Sequence, residues 1–386
     1  MKTVFYWSPC LNKVGTVKST LNSAISLSKY SKEKYKVKII NTCGEWDEYL
    51  ELFEKNNINV INFRFKLFSY LPKNGFISSR ISYLIIILFS FFPLIKILKK
   101  EQPEFIIMHL ITSLPIVLNN LLKFKTKFIL RISGYPKLNF FRKILWKISS
   151  KNLFCVTCPT RDLIKDLKKE EIFIEDKIFY LQDAIINVQN FIKKNKENNN
   201  EFKSRIKQFS NYFLSVGRLT KQKNYSYLIS EFANFLKYNK NEKLLIIGEG
   251  EEKQQLKKLI KKKDLTKNVF LIGQTHNVYP YMKNARALIL SSLWEEVGFV
   301  IVEAAFSNLF VISSNCPNGP KEFLENGRAG YLFESNKKDN LTEKLLYFIQ
   351  EEKNLQNLTI KAKKNSANYT PFRHYLSLQK ILSNEN

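Results

Sequence analysis

SSLWEEVGFVIVEAAFSNLFVISSNCPNGPKEFLENGRAG, residues 291–330, decides the fold of this 386-residue chain. The apolar run ARALILSS (285–292) enters it and predicts a buried strand. The run ends at Trp294-Glu295-Glu296, and after Gly298 the apolar positions Phe299, Val300, Val302, Ala305 and Phe306 suit a helix. A second buried strand, LFVISS (309–314), follows, then a Pro/Asn/Gly turn at 317–320. The unit is strand–loop–helix–strand, the grammar of an α/β fold with a parallel sheet.

Two carboxylates stand around its loop, Glu295 before it and Glu303 about one turn into the helix. The first amides of a helix have no intrahelical acceptor, and with the helix dipole they form a seat for a phosphate. Gly298 lets the backbone approach an anion, with Phe299 and Val300 supplying the next amides. Side chains lean toward the N-terminus of their helix, so Glu303 reaches back past that seat, toward vicinal hydroxyls such as those of a ribose. Glu295 is placed to do the same for a sugar.

Composition bounds the rest. The length suits two domains, and 45% hydrophobic with 14% aromatic residues predicts a folded protein. Net charge is +28, and residues 1–150 carry 24 Lys and Arg against 8 Asp and Glu. A compositional bias toward Lys, Asn, Ile, Phe and Tyr accounts for some of this; a basic face toward an anionic membrane or a nucleic acid is the functional alternative. Five scattered cysteines suit a reducing cytoplasm. Cys155 and Cys158 make a lone C-x-x-C in an apolar run with no second pair, which predicts a buried strand and turn, not zinc or redox chemistry. The N-terminal MKTVFYWSPC is too short an apolar segment for a signal peptide and predicts a first strand.

Along the chain, KTVFYWSP (2–9) leads into the turn Cys10–Val17 with Gly15, then a helix. KVKIINT (36–42) predicts the second strand, with a helix over 45–56 and a strand near NINVINFRF. Residues 81–98, ISYLIIILFSFFPLIKIL, are the most hydrophobic stretch. Ile81 to Ile95 is fifteen residues without a charge, interrupted by Pro93, against the roughly 20 that a membrane span needs. That predicts a buried helix, with a helix lying in a bilayer surface as the alternative. PEFIIMHLITS (103–113) predicts a strand ending at His109, and KFILRISG (127–134) one ending at Arg131 and Gly134. Strand C-termini are where an open α/β sheet places its ligands. Residues 186–210, rich in Asn and Lys, mark the domain boundary, giving domains 1–190 and 205–370 and a last helix, 371–386. In the second domain YFLSVG (212–217) leads into RLTKQKN, where Arg218 and Lys223 bracket a loop. An Arg fork and a Lys point charge suit a diphosphate.

Glu295-Glu296-Val297-Gly298-Phe299-Val300-Ile301-Val302-Glu303 resembles the Glu-x7-Glu signature of family-4 glycosyltransferases, with Glu296 where Gly is usual. Cys316-Pro317-Asn318-Gly319-Pro320-Lys321-Glu322-Phe323-Leu324 resembles the element C-P-S-G-P-x-E-I-L of members that build bacterial surface polysaccharides. Gly217-Arg218-Leu219…Lys223-Asn224 is similar to the family's pyrophosphate-binding element, and Gly273 to Val278 to the loop that holds the base. The resemblance implies a GT-B fold, two Rossmann-like domains facing each other across a donor cleft, with the last helix returning to the first domain. It also implies a retaining transfer of a hexose or N-acetylhexosamine from a nucleotide sugar, UDP- before GDP-, to a glycan or lipid-linked acceptor. Glu295 and His109 are then catalytic, and Gly15, Arg218, Lys223, Gly298, Phe299, Val300 and Glu303 bind the donor. No metal and no further cofactor are expected, since the chain has no Asp-x-Asp. The expected location is cytoplasmic or peripheral at the inner membrane face. A sugar-nucleotide epimerase and a nucleic-acid-binding protein are the two competing readings.

Overall fold

The computed structural model describes residues 1–11, 15–63, 65, 68, 71, 76–197, 206, 209 and 211–383. The chain divides into two compact units, one formed by Met1–Ala184 with Pro371–Asn386 and the other by Ile185–Thr370.

The first unit runs β1 (Lys2–Trp7), α1 (Gly15–Tyr30), β2 (Tyr35–Asn41), α2 (Leu50–Lys55), β3 (Asn59–Asn62), α3 (Phe76–Glu101), β4 (Phe105–Met108), α4 (Ser113–Leu122), β5 (Lys127–Arg131), α5 (Phe140–Ser149), β6 (Cys155–Cys158), α6 (Arg161–Lys169) and β7 (Ile178–Tyr180). Its seven strands are parallel, in the order β3-β2-β1-β4-β5-β6-β7. The central strands β4, β5 and β6 are short and buried on both faces, as a sheet covered by helices on each side requires. One face packs against α3, α4 and α5 through Leu94, Leu98, Leu114, Leu118 and Trp146. The other packs against α1 through Val17, Leu21, Ala24 and Leu27.

The second unit continues α7 (Val188–Lys196), β8 (Tyr212–Val216), α8 (Tyr225–Leu236), β9 (Lys243–Ile247), α9 (Lys253–Lys262), β10 (Val269–Gly273), α10 (Tyr279–Asn284), β11 (Ala285–Leu290), α11 (Phe299–Phe306), β12 (Phe310–Ser314), α12 (Gly319–Phe323), β13 (Tyr331–Phe333), α13 (Asn340–Glu351) and α14 (Gln356–Ser366). Its six strands are also parallel, in the order β10-β9-β8-β11-β12-β13. The chain then closes with α15 (Pro371–Ser383). This helix lies against α1 and sends Tyr375, Leu378, Ile381 and Leu382 into the core of the first unit.

In both sheets the strand order reverses once, at β1/β4 in the first and at β8/β11 in the second. Connections leave to opposite faces on either side of such a reversal, so a crevice opens there beyond the strand C-termini.

The structure departs from the sequence reading in α3 and at the unit boundary. Helix α3 is 26 residues long and passes through Pro93 without ending. Its segment Arg80–Glu101 is long and apolar enough, by length and composition, to cross a membrane, with a mean hydropathy of 2.3 over its most apolar window. The expectation from the uncharged run alone is shorter because it stops at Lys96. Ser82, Ile86, Ser90, Leu94 and Leu98, four apart, form a fully buried inner stripe, so α3 is a layer helix seated on the sheet side of the unit. The boundary falls at Ala184, ahead of the Asn/Lys-rich stretch, because the amides of Ile185 and Ile186 both donate to the Tyr369 carbonyl of the second unit. Much of 186–210 lies outside the described residues.

Candidate donor site

The loops that follow β8 and β11, the two strands at the second reversal, are joined by four contacts. The Leu293 amide donates to the Gln222 carbonyl at 2.8 Å, and the Gln222 side-chain amide donates to the Trp294 carbonyl at 2.9 Å. Ser291 Oγ donates to the Lys223 carbonyl at 2.7 Å. The Lys223 ammonium donates to Glu295 Oε1, which also accepts from Ser292 Oγ at 2.6 Å. Lys223 and Glu295 are thus brought together, and Glu295 is buried. Arg218 lies on the same loop with its side chain exposed.

Gly217 shows why this turn begins as it does. A Cβ there would stand 3.0 Å from Lys223 Cε and 3.0 Å from the Tyr225 hydroxyl. The lysine stem folds back across that backbone, and only glycine leaves it room. Gly248, at φ +152°, has a similar role in the neighbouring strand's turn: a Cβ would sit 1.9 Å from the Gly217 carbonyl oxygen.

Gly298 takes the left-handed conformation, φ 75° and ψ 68°, and its carbonyl accepts from the Ile301 amide at 3.0 Å, starting α11. A positive φ here turns the chain from the loop into the helix within one residue. Phe299 and Val300 form the first helical positions. Glu303 is half-buried on α11. The Tyr279 phenol is held above its ordinary value, first by burial and then by the nearby Glu303 carboxylate. The loop is buttressed from below. The Gly319 amide donates to the Glu296 carbonyl at 2.7 Å, and Ser314 Oγ donates to the Ser292 carbonyl at 2.6 Å. Burial pushes the Cys316 thiol up to about 11, and both Lys223 and Glu295 act on it. The proposed base loop is fixed at its far end, where the Asn277 side chain donates to the Lys194 carbonyl at 2.8 Å and accepts from the Tyr279 amide at 3.2 Å.

The first unit has its own set of groups at its reversal, after β1 and β4. His109 follows β4, its amide donating to the Trp7 carbonyl at 2.9 Å. Its ring is buried against Tyr6, and neither ring nitrogen has a hydrogen-bond partner among the described residues. Burial, then Arg131, then His374, hold the imidazole well below its ordinary pKa, so it is neutral at pH 7. Gly15 is the first residue of α1, exposed, with open space around it. Asn12 to Val14 of the loop ahead of it lie outside the described residues.

Arg131 does not face a ligand. Its guanidinium is buried, donating to Asp183 at 2.8 Å and to the Leu181 carbonyl at 2.6 Å. Asp183 also accepts from Ser19 Oγ. Beside this pair His374 Nδ1 donates to the Gln182 carbonyl at 2.5 Å, and its Nε2 accepts from Ser23 Oγ at 2.8 Å, the tautomer that a carbonyl partner requires. Cys155 and Cys158 sit in β6 on opposite faces of the sheet, so they cannot share one ligand. All five cysteines are free. Among the described residues no group of three or more His, Cys, Asp or Glu is placed to hold a metal ion.

Ser292, Gly319 and Tyr279 are the site residues that sequence reasoning missed. In the sequence Ser292 is only the end of a strand and Gly319 only one residue of a turn.

Residues 196–365 match the family described as Glycosyl transferases group 1. An uncharacterized glycosyltransferase of Methanocaldococcus jannaschii is 30% identical over 250 residues, 60% of this chain and 61% of the relative. The N-acetylgalactosamine-N,N'-diacetylbacillosaminyl-diphospho-undecaprenol 4-alpha-N-acetylgalactosaminyltransferase of Campylobacter jejuni is 26% identical over 237 residues, 59% of this chain and 62% of the relative. The chain therefore spans about three fifths of the length of these two relatives. Among solved structures, Anabaena HepE in complex with UDP and glucose superposes with a TM-score of 0.73 at 14% identity, covering 100% of both chains. Two Rossmann-like units of parallel sheet and the superposition on such structures show the GT-B fold, and the match to Glycosyl transferases group 1 falls within the second unit.

Proposed function

We propose that the chain is a retaining glycosyltransferase that moves a hexose or N-acetylhexosamine from a nucleotide-diphosphate sugar, UDP- in preference to GDP-, to a glycan or lipid-linked acceptor in surface-polysaccharide or lipopolysaccharide assembly. The observation that carries this is the joining of the β8 and β11 loops at the sheet reversal, where Lys223 pairs with Glu295, Arg218 lies on the first loop and α11 starts at the end of the second. The Campylobacter relative's name supports a lipid-linked acceptor, and the UDP in Anabaena HepE supports the base.

In this reading the diphosphate sits on the amides of Phe299 and Val300 and between Arg218 and Lys223. The C1–O bond to the diphosphate breaks while the acceptor oxygen attacks from the same face, and the departing phosphate oxygen takes the acceptor's proton. Charge that builds on the leaving group is met by fixed cations and dipoles, which need no reorganisation at the moment of reaction. No carboxylate nucleophile is required, in contrast to retaining glycosidases. Glu295 positions the reacting sugar and Glu303 the ribose, and His109 of the first unit, with its ring neutral, is the second residue assigned to catalysis. In this reading turnover needs no metal or further cofactor and takes place in the cytoplasm or at the inner face of the cytoplasmic membrane.

The test is donor hydrolysis and transfer across a panel of UDP- and GDP-sugars with and without EDTA, with the product anomer read by NMR. Transfer with an unchanged anomer in EDTA is expected. An inverted product would overturn the retaining step, and activity restored only by Mn²⁺ or Mg²⁺ would overturn the assignment of Arg218 and Lys223. Thermal stabilisation by single-stranded RNA in place of UDP or GDP would instead favour a nucleic-acid-binding protein.

A further inference from the structure

Helices α3, α4 and α5 cover one face of the first sheet, α4 touching both others, and each turns apolar side chains outward as well as inward. On α3, Leu84, Leu88 and Phe92 are 60%, 69% and 76% exposed, on the side opposite the buried stripe. On α5, Phe141 and Ile148 are 80% and 63% exposed, and at the end of α4 Leu121 is 68% exposed. Scattered exposed leucines are ordinary, but apolar stripes on three neighbouring helices are a surface with a partner.

The charge around them says which partner. Residues 80–150, which hold these helices, carry 12 Lys and Arg against 2 Glu, and of the 12 only Arg131 is buried, paired with Asp183. Both glutamates are engaged, Glu101 with Lys38 and Glu104 with Lys127. The outward stripe of α3 passes from Phe92 to Lys96 and Lys99, and that of α5 is flanked by Arg142 and Lys147, all exposed, while Lys143 of α5 pairs with Glu170. An apolar band rimmed by long basic side chains matches the boundary of an anionic bilayer, where stems lie along the acyl region and ammonium groups meet lipid phosphates. A second copy of the chain would bring like charge against like charge, which opposes pairing.

We propose that the outward face of α3, α4 and α5 docks on an anionic lipid surface, with α3 and α5 lying in the membrane plane. This surface belongs to the first unit alone and does not depend on the donor chemistry, so it is tested without donor.

The full chain is floated with vesicles of phosphatidylcholine, or of phosphatidylcholine with phosphatidylglycerol, at 0.1 M and 0.5 M NaCl. Binding to the anionic vesicles is expected, weaker at high salt because exposed charges are screened over about 10 Å at 0.1 M. The double variant F140S/F141S and the single variant L88S should each bind at least about tenfold less, since the insertion energy comes from those side chains. Both change exposed positions, and unchanged circular dichroism and melting temperature would show that the fold stands. No flotation with anionic vesicles, or variants that float like the wild type, would overturn the proposal. A dimer in sedimentation velocity without lipid that F140S/F141S dissociates would overturn it in favour of a second copy.

Discussion

Lys223 and Glu295 form an ion pair across the loops after β8 and β11, their side chains only 15% and 8% exposed. The cation assigned to the leaving group and the carboxylate assigned to the sugar therefore hold each other in place. Either one removed alone leaves a partly buried charge without its partner, which is costlier than losing a surface pair. Lys223→Ala should lower kcat by roughly 10²–10³-fold and raise the donor KM, while Glu295→Gln should lower kcat with a smaller change in KM. The double variant should lose at least about tenfold less than the product of the single losses, because residues that act as one unit are not additive. Steady-state kinetics of the four proteins measures this; full additivity would show that the pair does not act together.

Glu303 and Arg218 separate binding from chemistry. Glu303, assigned to a portion of the donor that does not react, should when changed to Gln act mainly on KM, as uniform binding requires. Arg218→Ala should raise KM and lower kcat together, since the diphosphate gains charge in the transition state. A Glu303→Gln variant with lowered kcat and unchanged KM would reverse the roles of the two glutamates.

Gly319 supports the loop ahead of α11 through its amide, which donates to the Glu296 carbonyl at 2.7 Å. A Cβ at this position would lie 2.4 Å from the Glu296 carbonyl oxygen and 2.4 Å from Val297 Cα, both backbone atoms that cannot move aside cheaply. Gly319→Ala should cost about 1–3 kcal/mol of stability, the range of overpacked sites, and should weaken donor binding by moving the loop. Chemical denaturation and UDP titration check the two effects. Gly15→Ala, made where no atom lies within 4 Å, is the control for a tolerated glycine and should leave stability nearly unchanged.

Acid should destabilise the first unit through His374. Burial, helped by Arg131, lowers its pKa from 6.5 to about 4, against the smaller raising effects of the Gln182 carbonyl and Asp183. The unfolded chain then binds the proton more readily, so this contribution is complete above about pH 6.5 and falls as pH drops toward 4, by at most about 1.4 kcal/mol per pH unit. Glu45 works in the other direction. Burial raises its carboxyl from 4.5 to about 7, so its contribution is lost as pH rises through that range. The difference between wild type and His374→Gln isolates the histidine. Urea midpoints at pH 7, 5.5 and 4.5 should converge as pH falls, and a constant gap would contradict the assignment.

How much of this was legible in the sequence depends on distance along the chain. Strands, turns and the two loops with Arg218, Lys223 and Gly298 could be read because each is a local pattern of apolar runs, glycines and charges. The Glu-x7-Glu spacing is likewise local. The coupling of Lys223 to Glu295 was not legible, since the two are 72 positions apart. Nor was the pairing of Arg131 with Asp183, which turned a residue at a strand C-terminus into a buried structural group. The outward phenylalanines of α5 are hidden for another reason. Phe140 and Phe141 precede the inward Trp146, and without the sheet position nothing says which side of so apolar a helix is covered.

The place of α15 has a consequence for how the protein is made. The second unit is an insertion in the first, entered after Ala184 and left before Pro371, and Leu378 and Ile381 complete the core beneath β1. Domains fold as units while the chain emerges, N-terminal first as a rule. Here the rule is inverted. The second unit has all its strands before residues 371–383 are made, while the first must wait for them with the part of one face beside α1 uncovered. A nascent chain stalled just past residue 370 would therefore hold an unfinished, aggregation-prone first half beside a second half that is already able to fold.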